Sequence, residues 1–184
     1  MSWGKTIMAK SSKKQIDQDE KRVIEQLQRN SNESIDKIAK TCGFSRQKVW
    51  RIIKRLENNK TIWGYTAVPD KEKQGVRNYI MLIKRSNEPA SDIIDNVIDG
   101  FKKYSGKNLG IFVQTACMLQ GQYDIMLCFT AKDISVAKRF TEFINKKYSI
   151  YIREIMMLED IFSVRISGMM NPKVDDLKEF FKTN

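Results

Sequence analysis

The stretch 34–45 reads SIDKIAKTCGFS, and it is followed at 46–58 by RQKVWRIIKRLEN. Ser34 predicts the N-cap of a short helix, and Gly43 predicts its end because glycine adopts positive φ without strain. Ser45 predicts the cap of a second helix, whose apolar residues recur at i, i+3, i+4 and i+7. Those residues are Val49, Ile52, Ile53 and Leu56.

A further helix is predicted before this pair, because apolar residues recur at helical spacing over 18–29. Asp17 and Glu20 have the spacing of an acidic variant of the capping box, which places the helix start beside them. Three helices with a short turn between the second and the third are the minimum of a helix-turn-helix. We assign that domain to residues 16–60.

The third helix of this domain has a polar face opposite its apolar stripe. In a helix-turn-helix that face enters the major groove, where arginine pairs with guanine, glutamine pairs with adenine, and lysine suits phosphates. We therefore interpret 45–58 as a recognition helix. Its predicted DNA-binding residues are Ser45, Arg46, Gln47, Lys48, Trp50, Arg51, Lys54 and Arg55. For Trp50 two interpretations stay open: contact with a thymine methyl or sugar, or cover for the edge of the first helix.

The charge distribution supports the same interpretation. Residues 1–67 hold 15 basic and 7 acidic side chains, whereas 68–184 hold 18 and 15, so most of the net charge of +11 lies in one third of the chain. Basic residues on an exposed helix are by themselves more often only a solvated face, so charge alone leaves DNA binding open. Residues 1–15 are predicted to be a basic flexible arm.

The remainder of the chain alternates between strand and helix patterns. Residues 61–75 are predicted to be a wing strand followed by a hinge, and 76–170 to be a βαββαβ domain of the ferredoxin-like type. Gly121-Gln122 is interpreted as a tight hairpin turn, and 171–184 as a C-terminal helix with Pro172 at its first position. The fold class is therefore α+β, with an N-terminal winged helix-turn-helix and a C-terminal ferredoxin-like domain.

Composition excludes several kinds of function. The chain has no histidine, so a Ser-His-Asp triad, a Cys-His pair and a His-containing zinc site are impossible. The three cysteines form no CxxC pair and favour reduced thiols in a cytoplasmic protein. No apolar run is long enough to cross a membrane. We expect no enzyme activity, no cofactor, no metal and no membrane partner.

Several motifs resemble the leucine-responsive/asparagine-regulator (Lrp/AsnC, feast/famine) family of transcription regulators. They are the stretch 34–45, Val49, RLE at 55–57, IWGYTA at 62–67 and LQGQYDIML at 119–127. The resemblance implies binding to double-stranded DNA by a homodimer, which in this family often assembles further to a tetramer or octamer. It also implies a small amino-acid effector bound in the C-terminal domain. By position, the effector-binding residues are Gly121, Gln122, Tyr123 and Asp124.

Simpler interpretations of the same residues stay open. Gly121 is also what a hairpin turn requires, and Asp124 is also suited to satisfying a neighbouring amide. An alternative function is a sequence-tolerant architectural protein that coats DNA without an effector. Self-association is predicted independently of the resemblance, because one strand is apolar on both faces and a monomer rarely exposes a large apolar patch. The two faces are predicted as Ile111, Val113, Cys117 and Leu119 on one, and Phe112, Ala116 and Met118 on the other.

Overall fold

The computed structural model describes residues 13–89, 91, 94–103 and 110–182, and it divides into two compact units. The first unit extends to Val68 and includes Arg165–Pro172. The second comprises Pro69–Val164 and the chain from Lys173 onward. Residues 1–12, most of the predicted basic arm, lie outside the described residues.

The first unit contains three helices, α1 (Lys13–Arg29), α2 (Ile35–Cys42) and α3 (Arg46–Asn58). The prediction that α1 starts near residue 18 is wrong, and the helix includes the last three residues of the predicted arm. Lys, Lys and Gln at 13–15 are good helix formers, and the Gln15 side chain donates a hydrogen bond to Asp19 one turn later (3.0 Å). Asp17 and Glu20 therefore lie inside the helix, and the capping box does not form.

The predicted caps of α2 and α3 are confirmed. The Ser34 hydroxyl accepts a hydrogen bond from the Lys37 amide, and the Ser45 hydroxyl accepts one from the Lys48 amide, both at 3.2 Å. Gly43 ends α2 with φ of 64°, which permits the turn into α3. The three helices enclose one apolar core, formed by Val23, Ile38, Ala39, Cys42, Val49, Ile52 and Leu56.

The predicted wing strand at 61–68 does not form. A strand requires a hydrogen-bonded neighbour, and no described residue pairs with this segment. Its start is held by the Ile62 amide, which donates to the Leu56 carbonyl at 3.0 Å, and by the Tyr65 hydroxyl, which donates to Glu57 at 3.1 Å. Trp63 is 95% exposed. Ile62 packs against the core of the first unit, whereas residues 63–68 are exposed.

The second unit contains a four-stranded antiparallel sheet in the order β2-β3-β1-β4. The strands are β1 (Arg77–Arg85), β2 (Phe112–Met118), β3 (Ile125–Ala131) and β4 (Ile152–Asp160), and the helices are α4 (Ile94–Lys103) and α5 (Ile134–Lys147). The predicted βαββαβ order is confirmed. Tyr79, Met81 and Phe129 are fully buried in a core that they share with Ala137 and Phe140 of α5.

A β-bulge in β2 alters the predicted division of its residues between the two faces. The register shifts between Val113 and Thr115, so Ala116 pairs with Leu127 on the side of the core. Cys117 instead pairs with Met126 on the outer face, the face of the sheet turned away from α5. The prediction that placed Cys117 on the face of Val113, and Ala116 and Met118 on the face of Phe112, was therefore wrong. The outer face carries Ile80, Leu82, Phe112, Cys117, Met126, Cys128, Met156 and Leu158.

The C-terminal part differs from its prediction in the type of its last helix. After β4 the chain forms a short hairpin, β5 (Arg165–Ile166) with β6 (Met169–Met170). The predicted C-terminal α-helix is a 3₁₀ helix over Val174–Phe181 that lacks a side-chain cap. Its half-buried Val174 and Leu177 are three residues apart, the spacing that a 3₁₀ helix aligns on one side. Within the described ranges, no helix is sufficiently long and apolar to cross a bilayer.

Candidate nucleic-acid interface

The polar face of α3 is exposed, as the sequence predicts. Seven of the eight predicted DNA-binding residues are exposed, and only Lys48 is half-buried. The opposite face is anchored by Val49 and Leu56, each fully buried in the core. The helix is thus held by its apolar side. Its exposed side presents Arg46 with Trp50 and Gln47 with Arg51, because residues four apart lie on the same side of a helix.

Three of the exposed cations form ion pairs with nearby acids. Arg46 lies 3.2 Å from Asp36, Lys54 lies 2.8 Å from Glu57, and Arg55 lies 2.5 Å from Glu20. Exposed ion pairs contribute little to stability, about 0–1 kcal/mol, so these cations can exchange the acid for a phosphate. Arg51 has no ion-pair partner among the described residues. It is therefore available for a base edge without first breaking an internal bond.

Lys48 has a different position from the other cations. Its Nζ lies 2.6 Å from Asp19 Oδ2, and it also lies 4.0 Å above the ring of Phe44. Asp19 is only 4% exposed, on the face of α1 that carries Val23 toward the core. The pair ties α3 to α1. Sequence analysis missed this role, although the i, i+4 spacing of Asp19 and Val23 was a signal that the carboxylate faces inward.

The surroundings of Asp19 favour its charged form. Burial raises the pKa of this carboxyl, but hydrogen bonds from Lys48 and Gln15 and the charges of Lys48 and Arg22 together outweigh burial and lower the pKa below its ordinary value. A carboxyl with a lowered pKa stabilises the folded state above its unfolded-state pKa, near 3.8. That contribution is lost as the pH falls through the folded-state pKa.

We expect Lys48→Met to lower the free energy of unfolding by about 1–3 kcal/mol at pH 7, because it leaves a buried carboxylate without its cation. Lys54→Met is the matched control on the same helix and is expected to cost less than about 0.5 kcal/mol. Denaturant titration at pH 7 and below pH 3.8 measures both, and the cost of Lys48→Met is expected to shrink at the acid pH. Equal costs for the two variants at pH 7 would contradict a structural role for Lys48.

The predicted effector loop connects β2 to β3 over residues 119–124, and is longer than the two-residue turn expected. One Asp124 carboxylate oxygen accepts a hydrogen bond from the Arg85 amide at 2.8 Å, and the Asp124 amide donates to the Ile83 carbonyl at 2.9 Å. Asp124 thus holds the end of β1 where its pairing with β4 shifts register, which fits the simpler interpretation of this residue. Gly121 and Gln122 are exposed.

Tyr123 extends from this loop to β4. Its hydroxyl donates to Glu154 at 3.0 Å and lies 3.7 Å from the sulfur of Met156. Partial burial and the hydrogen bond to Glu154 raise the pKa of Tyr123, so the phenol stays protonated and continues to donate. Sequence analysis missed Glu154, which lies 31 residues further along the chain. Nowhere in the described ranges do enough acidic or thiol side chains cluster to hold a metal ion.

Comparisons with known proteins agree with this geometry. Residues 17–62 match a family described as winged helix-turn-helix DNA-binding. No match was found among curated protein sequences. Solved structures of three regulatory proteins share the fold. An AsnC-family regulator from Agrobacterium tumefaciens is 17% identical with a TM-score of 0.64, and the match covers 84% of this chain and 96% of that one. A Neisseria meningitidis regulator in complex with L-Met is 13% identical with a TM-score of 0.63, and the match covers 85% of this chain and 94% of that one. The leucine response regulatory protein of Mycobacterium tuberculosis is 13% identical with a TM-score of 0.61, and the match covers 84% of this chain and 98% of that one.

The three helices of the N-terminal unit therefore have the helix-turn-helix arrangement, and residues 17–62 are similar to a winged helix-turn-helix DNA-binding family. The chain as a whole has the two-domain fold of the Lrp/AsnC regulators, as the motifs predicted.

Proposed function

We propose that this chain is a sequence-specific transcription regulator of the Lrp/AsnC type that binds double-stranded DNA through α3. The observation that carries the proposal is the exposed polar face of α3 on a domain that matches a DNA-binding family. Gln47 and Arg51 are one turn apart on that face, which is the spacing needed to reach successive base edges. Ser45 and the first amides of α3 are suited to a phosphate.

Other cations of α3 position the helix on the DNA backbone. Lys54 and Arg55 are exposed and paired only with surface acids, so they fit phosphates on either side of the groove. Lys48 is assigned to the support of α3 and not to phosphate contact, because Asp19 holds its ammonium group. The proposed DNA-contacting set is therefore the predicted one without Lys48.

The experiment that tests this function is selection of bound fragments from random double-stranded DNA by the full chain. We expect a palindrome whose half-sites are about 10 bp apart, or a multiple of that, with affinity at least about a thousandfold above random DNA. Recovery of unrelated sequences, with a steep salt dependence and a small specificity ratio, would instead favour the sequence-tolerant architectural protein.

A homodimer is proposed from the outer face of the sheet. Phe112 is 60% exposed there, Leu158 is 44% exposed and Met156 is 40% exposed. Apolar side chains collected on one face of a sheet favour burial against a second copy. Two copies would present two recognition helices, which is what a palindromic site requires. Assembly to a tetramer or octamer remains part of the proposal.

A small amino acid is proposed as effector at the loop 119–124. Gly121 and Gln122 are exposed, and their backbone amides suit a carboxylate, while Glu154 and the second oxygen of Asp124 suit an ammonium group. The Neisseria meningitidis regulator with the same fold was solved with L-Met, which supports an amino acid as the class of ligand. In this arrangement Tyr123 fixes the position of Glu154.

We expect one or more of the twenty amino acids to raise the melting temperature of the protein. A ligand at a hundred times its Kd stabilises the folded state by about 2.7 kcal/mol. Glu154→Gln and Asp124→Asn are expected to abolish the shift, and the asparagine still accepts the Arg85 amide so that the loop is retained. Glu142→Gln on the exposed side of α5 is the control. A shift that persists in both site variants, or its absence with every amino acid, would remove the effector site.

A further inference from the structure

A shallow depression lies on the exposed face of α3. It is lined by Ile35, Arg46, Gln47, Trp50 and Arg51, and its walls consist almost wholly of carbon. Ile35 is the first residue of α2, directly after the Ser34 cap, so the depression lies where α2 meets the N-terminal half of α3. An apolar hollow is unexpected on a face that is otherwise rich in hydrogen-bonding groups.

Trp50 supplies the exposed aromatic surface of this hollow. Its side chain is 52% exposed, although Val49 beside it is completely buried. It is also absent from the residues that form the core of the first unit. The indole is therefore not required to complete the core, and about half of its surface is available to a ligand.

The charges around the depression select the kind of ligand. Asp36 is neutralised by Arg46 at 3.2 Å, whereas Arg51 has no acidic partner in the described part of the chain. The rim is therefore cationic while the interior is apolar. That combination complements a strongly anionic polymer that carries a small apolar group, and it disfavours a free hydrocarbon or an apolar peptide.

We infer that this depression is a specificity pocket that receives the C5-methyl group of a thymine in the major groove, with Trp50 and Ile35 in contact with the methyl and Arg51 on the edge of a neighbouring base. The inference rests on the proposed function and deepens it. Among the edges of the four bases in the major groove, the thymine methyl is the apolar group, so an apolar hollow on a recognition helix has one natural complement there.

The pocket distinguishes bases that present the same hydrogen-bonding groups but differ in the C5-methyl group. Uracil presents the same acceptor oxygen as thymine but has no methyl, and cytosine acquires the methyl when it is 5-methylated. Burial of one methyl-sized group stabilises by about 0.8 kcal/mol, which corresponds to about a fourfold change in Kd. A contact of this kind therefore appears as a methyl-dependent preference at a defined position of each half-site.

The test uses the full chain and the site selected from random DNA. Each thymine is replaced in turn by uracil, and we expect one position per half-site to weaken binding about fourfold. At that position 5-methylcytosine is expected to bind about fourfold more tightly than cytosine. In Trp50→Ala both ratios are expected to fall to near one, whereas Trp50→Leu, which keeps an apolar contact, retains part of them.

Trp63→Ala is the matched control, because Trp63 is also exposed but lies outside the depression, and it is expected to keep both ratios. A selected site at which uracil is tolerated everywhere overturns the pocket and leaves the proposed function standing. If Trp50→Ala leaves both methyl-dependent affinity ratios unchanged, Trp50 does not contact the methyl group, and the proposed function again stands. Failure to select any site overturns the proposed function, and the pocket with it.

Discussion

Replacement of Arg51 with alanine is expected to weaken binding to the selected site by about ten- to a hundredfold, with little effect on random DNA. Arg51 is exposed, has no acidic partner in the described chain, and lies one turn beyond Gln47 on the outward face of α3. A bidentate arginine–guanine contact contributes about 1–3 kcal/mol to discrimination against the wrong base, and its loss accounts for this range. Competition binding against random DNA at fixed salt measures both affinities.

Two further variants show whether the loss of affinity is specific to a base contact made by Arg51. Lys54→Ala removes a phosphate contact, so we expect equal weakening on selected and random DNA and a salt dependence reduced by about one ion. Arg29→Ala removes an exposed arginine from the end of α1 and is expected to leave the selected site bound as before. If Arg51→Ala weakened selected and random DNA equally, α3 would not read sequence through this residue.

The helical unit was largely predictable because its signals are local. Ser34, Gly43 and Ser45 each act within four residues of their own position, and their caps form as predicted. The start of α1 was missed because Asp17 and Glu20 imitate a cap, while Gln15 extends the helix past them. The two possible helix starts differ only slightly in free energy, and the sequence pattern alone does not show which start is more stable.

The sheet was predictable in its order and less so in its details. Alternation of apolar residues identified four strands, but the bulge after Val113 inverted the face of Cys117, and a bulge leaves no mark on the pattern. The segment 61–68 has strand-forming residues and no strand partner in the described chain. Pairing partners are distant in sequence, so strand propensity indicates where a strand is allowed and not where it forms.

In the candidate interface too, local features were predictable from the sequence and long-range contacts were not. Exposure of the polar face of α3 follows from helical period and was predicted. The partners of its cations were not, because Glu20 lies 35 positions before Arg55 and Asp19 lies 29 positions before Lys48. Those long-range contacts separate Lys48, which supports the fold, from Arg51, which is available for DNA. From the sequence alone the two cations looked equivalent, because both are basic residues of the same helix.

Leu158→Glu is expected to convert the proposed dimer to a monomer. Leu158 is 44% exposed on the outer face of the sheet, where Leu158 pairs with Ile80 of β1. In a two-fold dimer each substitution occurs twice in one interface, so two apolar contacts are lost and two carboxylates face an apolar surface. Loss of about 1.5–3 kcal/mol at each copy raises the dimer Kd by at least about a hundredfold.

Sedimentation equilibrium over a range of protein concentrations measures this change, with thermal unfolding as the check that the sheet still folds. Ile134→Glu is the matched control, because Ile134 is 41% exposed but begins α5, on the opposite side of the sheet from the outer face. It is expected to remain dimeric. A Leu158→Glu protein that stays dimeric would place the interface elsewhere. A monomer that still bound a two-half-site operator as tightly as the unmodified chain would separate DNA recognition from self-association, because one recognition helix covers only one half-site.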